Sequence, residues 1–163
     1  MASPGDGFDD WYRGAHGRLA AALLAFTGST ELAADAVDEA CMRALAHWSR
    51  VGVMAGPDAW VYRTAINHAK RRLRRAALER RLLSRLGEAQ VLPGPAGELW
   101  QVVGDLPLRQ RTAVVLRYVA DLPEAEVAEI MGVGRGTVAS TLSEARHRLR
   151  ERLGEDVEKL AND

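Results

Sequence analysis

The C-terminal third of the chain carries an apolar repeat that restricts its fold more than any other feature. Val138, Leu142, Ala145, Leu149 and Leu153 follow one another at steps of four, three, four and four. This spacing places all of them on one stripe of an amphipathic helix, and arginines occupy many of the positions around it. The segment is therefore predicted to be a helix with one buried face and a basic outer surface.

A shorter helix is predicted directly before it, in the segment "DLPEAEVAEIMG" (121–132). Pro123 suits the first turn of a helix, Glu124 suits the positive end of the helix dipole, and Gly132 stands where a C-cap glycine would. Two helices joined by about three to four residues that include glycine are typical of a helix-turn-helix, although a helical hairpin that only packs has the same pattern.

The remaining chain is also predicted to be helical, which makes the fold class all-α. Aromatic residues are 6% of the chain, whereas Ala, Leu, Arg and Glu, which favour helices, are abundant. In the helix predicted over 31–49, Leu45 and Trp48 are expected on the buried side. Further helices are predicted over 8–26, 58–86, 99–103 and 106–120.

One segment interrupts the helical pattern and divides the chain. Residues 87–98, "GEAQVLPGPAGE", contain two prolines on either side of Gly94, which is typical of a flexible linker. We therefore expect two small helical domains, 1–86 and 99–163, with the helix-turn-helix in the second.

The charge of the chain is balanced overall but unevenly distributed. Residues 67–85 hold 8 basic side chains and one acidic side chain, and residues 135–152 hold 5 basic and 2 acidic. Residues 1–66 and 86–134 are acidic by comparison, with 8 acidic against 5 basic and 7 acidic against 3 basic. A basic patch on a neutral protein favours phosphate binding, although a solvated arginine face is the alternative for each segment.

Other classes of protein are disfavoured by the composition. Cys41 is the only cysteine, which excludes an internal disulfide and favours a cytoplasmic setting. No apolar run is long enough to span a membrane, and the N-terminus lacks a signal-peptide pattern. The histidines are scattered without metal-ligand spacing. We therefore expect no enzyme activity, no metal and no cofactor.

Two separated segments together carry a family resemblance. "DLPLRQRTAVVLRYVADLPEAEVAEIMGVGRGTVASTLSEARHRLRERL" (105–153) resembles region 4 of bacterial sigma factors. "AADAVDEACMRALAHW" and "PDAWVYRTAINHAKRRLRR" resemble region 2. With these two regions and a short linker, the chain is most similar to the extracytoplasmic-function (ECF) class. The resemblance implies a transcription initiation factor that binds core RNA polymerase and promoter DNA.

The resemblance also implies roles for particular residues. In the N-terminal domain, the second helix would dock on the β′ clamp helices of the polymerase, and the loop 50–57 would take up a base flipped from the −10 element. The C-terminal domain would recognise the −35 element and contact the β flap, and an anti-sigma factor is a further implied partner. The implied polymerase-binding residues are Asp35, Asp38, Glu39 and Arg43. Those for the melted −10 strand are Trp60, Arg63, Asn67, Lys70, Arg71, Arg74 and Arg75. Those for the −35 element are Arg135, Thr137, Ala139, Ser140, Ser143, Glu144 and Arg148.

Some of these positions depart from the family pattern or have two interpretations. Asp38 and Arg71 stand where the family often has an amide and an acid, and Ala139 and Thr141 stand where it often has basic residues. Trp60 fits a core position better than a stacking platform, whereas Tyr62 fits either.

Glu144 also departs from the basic residue that the family often has at its position. Its carboxylate either accepts a hydrogen bond from a cytosine or pairs with Arg148 in solvent.

The principal alternative function is a stand-alone helix-turn-helix regulator that binds DNA without polymerase. It explains the C-terminal pattern but assigns no role to the basic segment 67–85.

Overall fold

The computed structural model describes residues 6–86 and 97–154, and within these ranges the secondary structure is entirely helical. This confirms the all-α fold class. The helices are α1 (Phe8–Thr27), α2 (Thr30–Ala46), α3 (Trp48–Val51), α4 (Pro57–Arg85), α5 (Glu98–Asp105), α6 (Leu108–Val114), α7 (Glu124–Met131) and α8 (Arg135–Leu153). A π-helical turn, Val115–Val119, continues α6.

The junction between α1 and α2 is formed by local chemistry. Gly28 adopts a left-handed conformation, with φ of 67°, and its N–H donates to the carbonyl of Leu24 to close α1. The Ser29 hydroxyl then accepts a hydrogen bond from the Leu32 N–H at 3.3 Å and caps α2. These two caps turn the chain so that α1 and α2 pack side by side.

The predicted burial of Leu45 was wrong, because its side chain is 48% exposed. The helix α2 buries a stripe of mostly small residues that includes Ala40 and Ala44. Leu45 comes one residue after Ala44, so it is rotated about 100° off that stripe. The helix predicted over 31–49 also ends at Ala46, and the buried Trp48 begins the separate short helix α3.

The longest helix, α4, has 29 residues and spans roughly 43 Å. Its first half packs through Val61, Ala65, Ile66 and Ala69, all of which are buried. Its last nine residues, 77–85, and the C-cap Leu86 are all exposed. The helix is therefore anchored at its N-terminal end and projects at its C-terminal end.

The helices before and after the predicted linker share one hydrophobic core. α1 packs against α5 and the π-helical turn, and α4 packs against α7. Most of the predicted linker (87–96) and the C-terminal tail (155–163) lie outside the described residues, so the linker and domain boundaries stay predictions. The helices α1–α4 form the N-terminal module, and α5–α8 with the π-helical turn form the C-terminal module.

Candidate nucleic-acid interface

The predicted helix-turn-helix is formed by α7 and α8. Gly132, with φ of 66°, ends α7, and Gly134 is the residue before the first turn of α8. Val127 and Ile130 on α7 are buried, as is Val138 on α8. The two helices pack through these side chains and leave the outer side of α8 open to solvent.

The outer side of the first turns of α8 displays small polar side chains. Ala139, Ser140 and Ser143 are exposed, and Thr137 is half-buried. The Ser140 hydroxyl donates to the carbonyl of Thr137 at 3.0 Å. Thr141, by contrast, is buried, so this departure from the family pattern faces the core. Small side chains on the exposed face allow close approach to a DNA groove.

Arg135, Glu144 and Arg148, the remaining residues predicted to contact the −35 element, are also exposed. One carboxylate oxygen of Glu144 accepts a hydrogen bond from the Gln110 side-chain amide on α6 at 3.3 Å. Sequence reasoning missed this partner, which lies 34 residues away. In the described structure Glu144 thus contacts Gln110 rather than Arg148.

Other basic residues of α8 hold the helix in place. Arg146 donates to the hydroxyl of Tyr118 at 2.9 Å, and Arg152 forms an ion pair with Asp105 at 3.1 Å. Tyr118 belongs to the π-helical turn and Asp105 to α5, both within the C-terminal module. The arginines of this helix therefore divide into those that fix its position and those, such as Arg148, that face solvent.

The basic middle of α4 presents a second exposed surface. Asn67, Arg71, Arg74 and Arg75 are exposed, and within 6–86 and 97–154 no hydrogen bond or ion pair joins them to another side chain. Lys70 is half-buried, and burial lowers the pKa of its amine, with the nearby Arg74 adding to the effect. This surface has the charge and exposure that a phosphate backbone requires.

The two aromatic residues near the start of α4 are placed differently. Tyr62 is 4% exposed, and burial raises the pKa of its hydroxyl to about 12. Tyr62 is therefore a core residue and is not available for base stacking. Trp60 is half-buried and packs against the core.

Arg63 was predicted to contact the melted strand, but the structure places it between the two modules. Its guanidinium donates to the carbonyls of Glu129 and, at 3.3 Å, of Ile130. These carbonyls are at the C-terminal end of α7, which is the negative end of the helix dipole. In this arrangement the Arg63 side chain contacts the helix-turn-helix.

Arg111 makes a second link between the modules, which sequence reasoning missed. It donates to the carbonyl of Phe26 at the end of α1 and to the carbonyls of Gly104 and Leu106. Its guanidinium also lies over the Phe26 ring at 5.9 Å, and burial lowers its pKa. In the sequence Arg111 is one arginine of "RQR", and no local signal distinguishes it from its exposed neighbour Arg109.

The residues predicted to bind polymerase lie on α2, but three of the four have partners within the N-terminal module. One oxygen of Asp35 accepts a hydrogen bond from His68 at 2.8 Å and lies 3.1 Å from Arg72 Nε, both on α4. The hydrogen bond from His68 holds the pKa of Asp35 below its ordinary value. Glu39 pairs with Arg43 along the helix at 2.6 Å.

Asp38 is exposed on α2. The same helix also exposes apolar side chains that the sequence did not predict to be at the surface. Met42 and Leu45, which follow Asp38 on α2, are 68% and 48% exposed. Met42 and Leu45 each lie one residue after a buried residue of α2, and this position beside the buried stripe would have predicted their exposure.

The loop between α3 and α4 packs tightly at its start. Gly52 follows α3, and an added Cβ there would lie 2.7 Å from the ring of the buried Trp48. Val53, next in the chain, is 82% exposed. Gly52 thus lets the loop pass directly over Trp48, while Val53 faces solvent.

Membrane-spanning helices and metal clusters are both absent from the described residues. No described helix is long and apolar enough to cross a membrane. Within 6–86 and 97–154, no cluster of His, Cys, Asp and Glu has the arrangement of a metal site.

Comparison with known proteins identifies the two modules separately. The family model described as "Sigma-70 region 2" matches residues 11–79, and that described as "Sigma-70, region 4" matches residues 96–149. The chain is 31% identical over 126 residues to the RNA polymerase sigma-E factor of Streptomyces avermitilis, covering 74% of this chain and 70% of the relative. It is 31% identical over 153 residues to the ECF RNA polymerase sigma factor SigM of Mycobacterium tuberculosis, covering 90% and 77%.

Solved structures have the same fold. The sigma factor RpoE, in complex with the anti-sigma factor NepR from Bartonella quintana, matches with a TM-score of 0.77 and 23% identity, over 93% of this chain and 99% of RpoE. CnrH, in complex with the cytosolic domain of CnrY, matches with a TM-score of 0.66 and 20% identity over 94% of each chain. The two region models and the 31% identical relatives agree with the helix-turn-helix and the basic helix α4, and the chain belongs to the sigma-70 family of bacterial transcription initiation factors, in its extracytoplasmic-function class.

Proposed function

We propose that the C-terminal module recognises the −35 promoter element while the N-terminal module docks on core RNA polymerase and melts the −10 element. The observation that carries this proposal is the presence of two separate exposed basic surfaces, on α8 and on α4. Each lies within a different matched sigma region. A stand-alone regulator is not favoured, because it would assign no role to region 2.

Recognition of the −35 element uses the front of α8 in the major groove. Ala139, Ser140 and Ser143 are small enough for the helix backbone to approach the base edges, and their exposure supports this role. Arg135 and Arg148 contact phosphates on either side and set the register, while the small residues and Glu144 contribute sequence preference.

Melting of the −10 element uses the exposed surface of α4. Arg71, Arg74 and Arg75 bind the phosphates of the separated strand and release counterions. The loop after α3 holds the flipped base, which compensates for an unstacking cost of about a few kcal/mol. Asn67 lies one turn before Arg71 and is exposed on the same helix, where it can contact a base or the backbone.

Docking on polymerase uses the exposed face of α2. Asp38 and the adjacent Glu39, which pairs with Arg43 one turn further along, offer charged groups to the β′ clamp helices. Met42 and Leu45 add apolar contact area in the same region. The C-terminal module contacts the β flap. An anti-sigma factor is a further partner, as NepR is for RpoE.

The protein acts in the cytoplasm, where its polymerase is, and has no chemistry of its own. Polymerase catalyses nucleotide addition, and this chain supplies promoter recognition and strand separation. No metal or cofactor is needed for these binding steps.

Tight promoter binding requires core polymerase. Each module alone offers few phosphate contacts, and Arg63 is held by the carbonyls of α7 while the modules are packed together. Docking on polymerase separates the two modules. The distance between the DNA-binding surfaces on α4 and α8 then increases, and the Arg63 side chain is released from the α7 carbonyls. The free protein therefore binds promoter DNA weakly.

The test combines co-purification with run-off transcription. The full chain is mixed with core polymerase, and transcripts are mapped from a genomic library. We expect a stable complex and initiation at sites that share two spaced elements. Nanomolar, sequence-specific DNA binding by the free chain, with no polymerase association, would instead favour the stand-alone regulator.

A further inference from the structure

The last turns of α4 display leucines that nothing in the described fold covers. Leu78 is 59% exposed and Leu82 52%, and Leu86, at the C-cap, is 76% exposed. Single exposed leucines are common on protein surfaces, but three in a row on one helix are not. Because every residue from 77 to 86 is exposed, this part of the helix lacks the packing that usually stabilises a helical segment of that length.

The leucines lie in register with the arginines assigned to the melted strand. Arg71, Arg75, Leu78, Leu82 and Leu86 follow at steps of four, three, four and four. This spacing places them along one face of α4. The apolar stripe is therefore a continuation of the surface that carries Arg71 and Arg75.

The charges around the stripe decide which kind of partner fits it. Residues 74–86 contain Arg74, Arg75, Arg80, Arg81 and Arg85, with Glu79 as the single acidic residue. A second copy of this helix would bring two sets of arginines together, which is unfavourable. Nucleic acid would satisfy the arginines but would leave the leucines in water. An amphipathic helix with acidic residues beside its apolar stripe satisfies both.

We propose that residues 74–86 of α4 form a docking strip for an acidic amphipathic helix of a partner protein. The leucines pack into the apolar stripe of the partner, and the flanking arginines pair with its Asp and Glu side chains. A partner helix on this strip contacts Arg75 and, one turn further along the face, Arg71, and it then excludes the DNA strand from them. This exclusion rests on the proposed role of these two arginines, whereas docking at the leucines does not.

The test uses the full-length chain and a synthetic probe helix with leucine at the apolar positions and glutamate elsewhere. Binding is measured by fluorescence anisotropy of the labelled probe. We expect the variant Leu78→Ser/Leu82→Ser/Leu86→Ser to bind at least tenfold more weakly than wild type, since the leucines are exposed and the substitutions leave the core intact. Equal binding by this variant would overturn the proposal.

A charge exchange provides the matched control. The variant Arg81→Glu/Arg85→Glu should bind the glutamate probe more weakly than wild type does. It should bind a probe in which lysine replaces glutamate more tightly than wild type does. If both variants keep their affinity for the glutamate probe, then general electrostatic attraction to the chain explains the binding. The proposal that residues 74–86 form the docking strip is then wrong. A wild-type dimer in sedimentation experiments that the leucine variant lacks would assign the strip to self-association instead.

Competition with DNA separates this proposal from the function proposed above. The glutamate probe should displace a single-stranded oligonucleotide from the wild-type chain but not from the leucine variant, and run-off transcription by the leucine variant should be unchanged. Probe binding without displacement would overturn the exclusion from Arg71 and Arg75. If the wild-type chain does not support run-off transcription, the proposed function is wrong, whereas the measured binding of the probe at the leucines still decides the docking proposal.

Discussion

The two arginine-rich helices, α4 and α8, look alike in sequence but use their arginines differently. In α4, Arg63 contacts carbonyls of the other module, while Arg71, Arg74 and Arg75 face solvent. In α8 the partners of Arg146 lie within its own module. The density of positive charge therefore does not by itself identify the arginines that can meet DNA.

The helices differ equally in how their apolar residues are covered. The stripe of α8 is buried from Val138 to Leu149 by the helices of its module. The stripe of α4 is fully buried only as far as Ala69. Leu73 is half-buried and packs against the core, and Leu78, Leu82 and Leu86 beyond it are exposed. Packing thus fixes α8 along most of its length, whereas α4 has a fixed base and a projecting end that is available to partners.

The largest effect should come from removing the exposed arginines of α4. We expect Arg71→Ala/Arg74→Ala/Arg75→Ala to reduce promoter opening by about ten- to a hundredfold while binding to the −35 element stays intact. Loss of three single-strand phosphate contacts should make the negative slope of log affinity against log salt concentration shallower by about 2. Permanganate footprinting of the melted region and salt titration measure these effects.

The matched control is Arg63→Ala in the same helix. Because Arg63 contacts α7 carbonyls when the modules are packed, its removal should loosen the contact between the modules in the free protein. In the polymerase complex it should reduce opening less than the triple change. An unchanged melted region in the triple variant, together with loss of upstream contact, would show that the two modules have been assigned the wrong elements.

A smaller effect, confined to one base pair, is expected from Glu144→Ala in α8. Gln110 holds one oxygen of the carboxylate and leaves the other available. If that oxygen accepts a hydrogen bond from a cytosine amino group, the variant should lose about 1–3 kcal/mol of preference at that position. Selection of bound sequences from a random library measures the change.

Glu151→Ala is the control for this prediction, because Glu151 lies about two turns further along α8 and pairs with His147 at 3.3 Å. It should raise affinity for all sequences alike, since a negative charge near the phosphates is removed. The same uniform gain in Glu144→Ala, without a positional change, would show that Glu144 recognises no base.

The smallest effect concerns the ion pair that joins α2 to α4. The pKa of Asp35 is lowered in the folded protein, so its stabilising contribution is complete above the ordinary carboxyl pKa and is lost as pH falls through the lowered value. Asp35→Asn should therefore reduce the free energy of unfolding at pH 7 by less than about 1 kcal/mol, because the carboxylate is half-exposed.

Urea unfolding at several pH values measures this difference between Asp35→Asn and wild type. The difference should shrink as pH falls below the ordinary pKa of 3.8 and disappear below the lowered pKa of the folded protein. The exposed Asp38 on the same helix offers the control, and Asp38→Asn should match wild type throughout. A loss of stability in Asp35→Asn that is the same at all pH values would mean that the carboxylate charge is not responsible.

The amino-acid sequence by itself determined the helices, the turn of the helix-turn-helix and the two basic segments. These features depend on residues within about four positions of each other, because helical periodicity and capping are local. The glycine that ends α7 and the stripe of α8 are therefore visible in the sequence. The sigma-family motifs then assigned the two segments to separate regions.

The tertiary structure decided which side chains of those helices remain available. Asp35 meets His68 across 33 residues, Arg63 meets Ile130 across 67, and Arg111 meets Phe26 across 85. No local pattern encodes such pairs, because they depend on how whole helices pack. The same packing buried Tyr62, which the sequence had left open, and joined the two modules in one core.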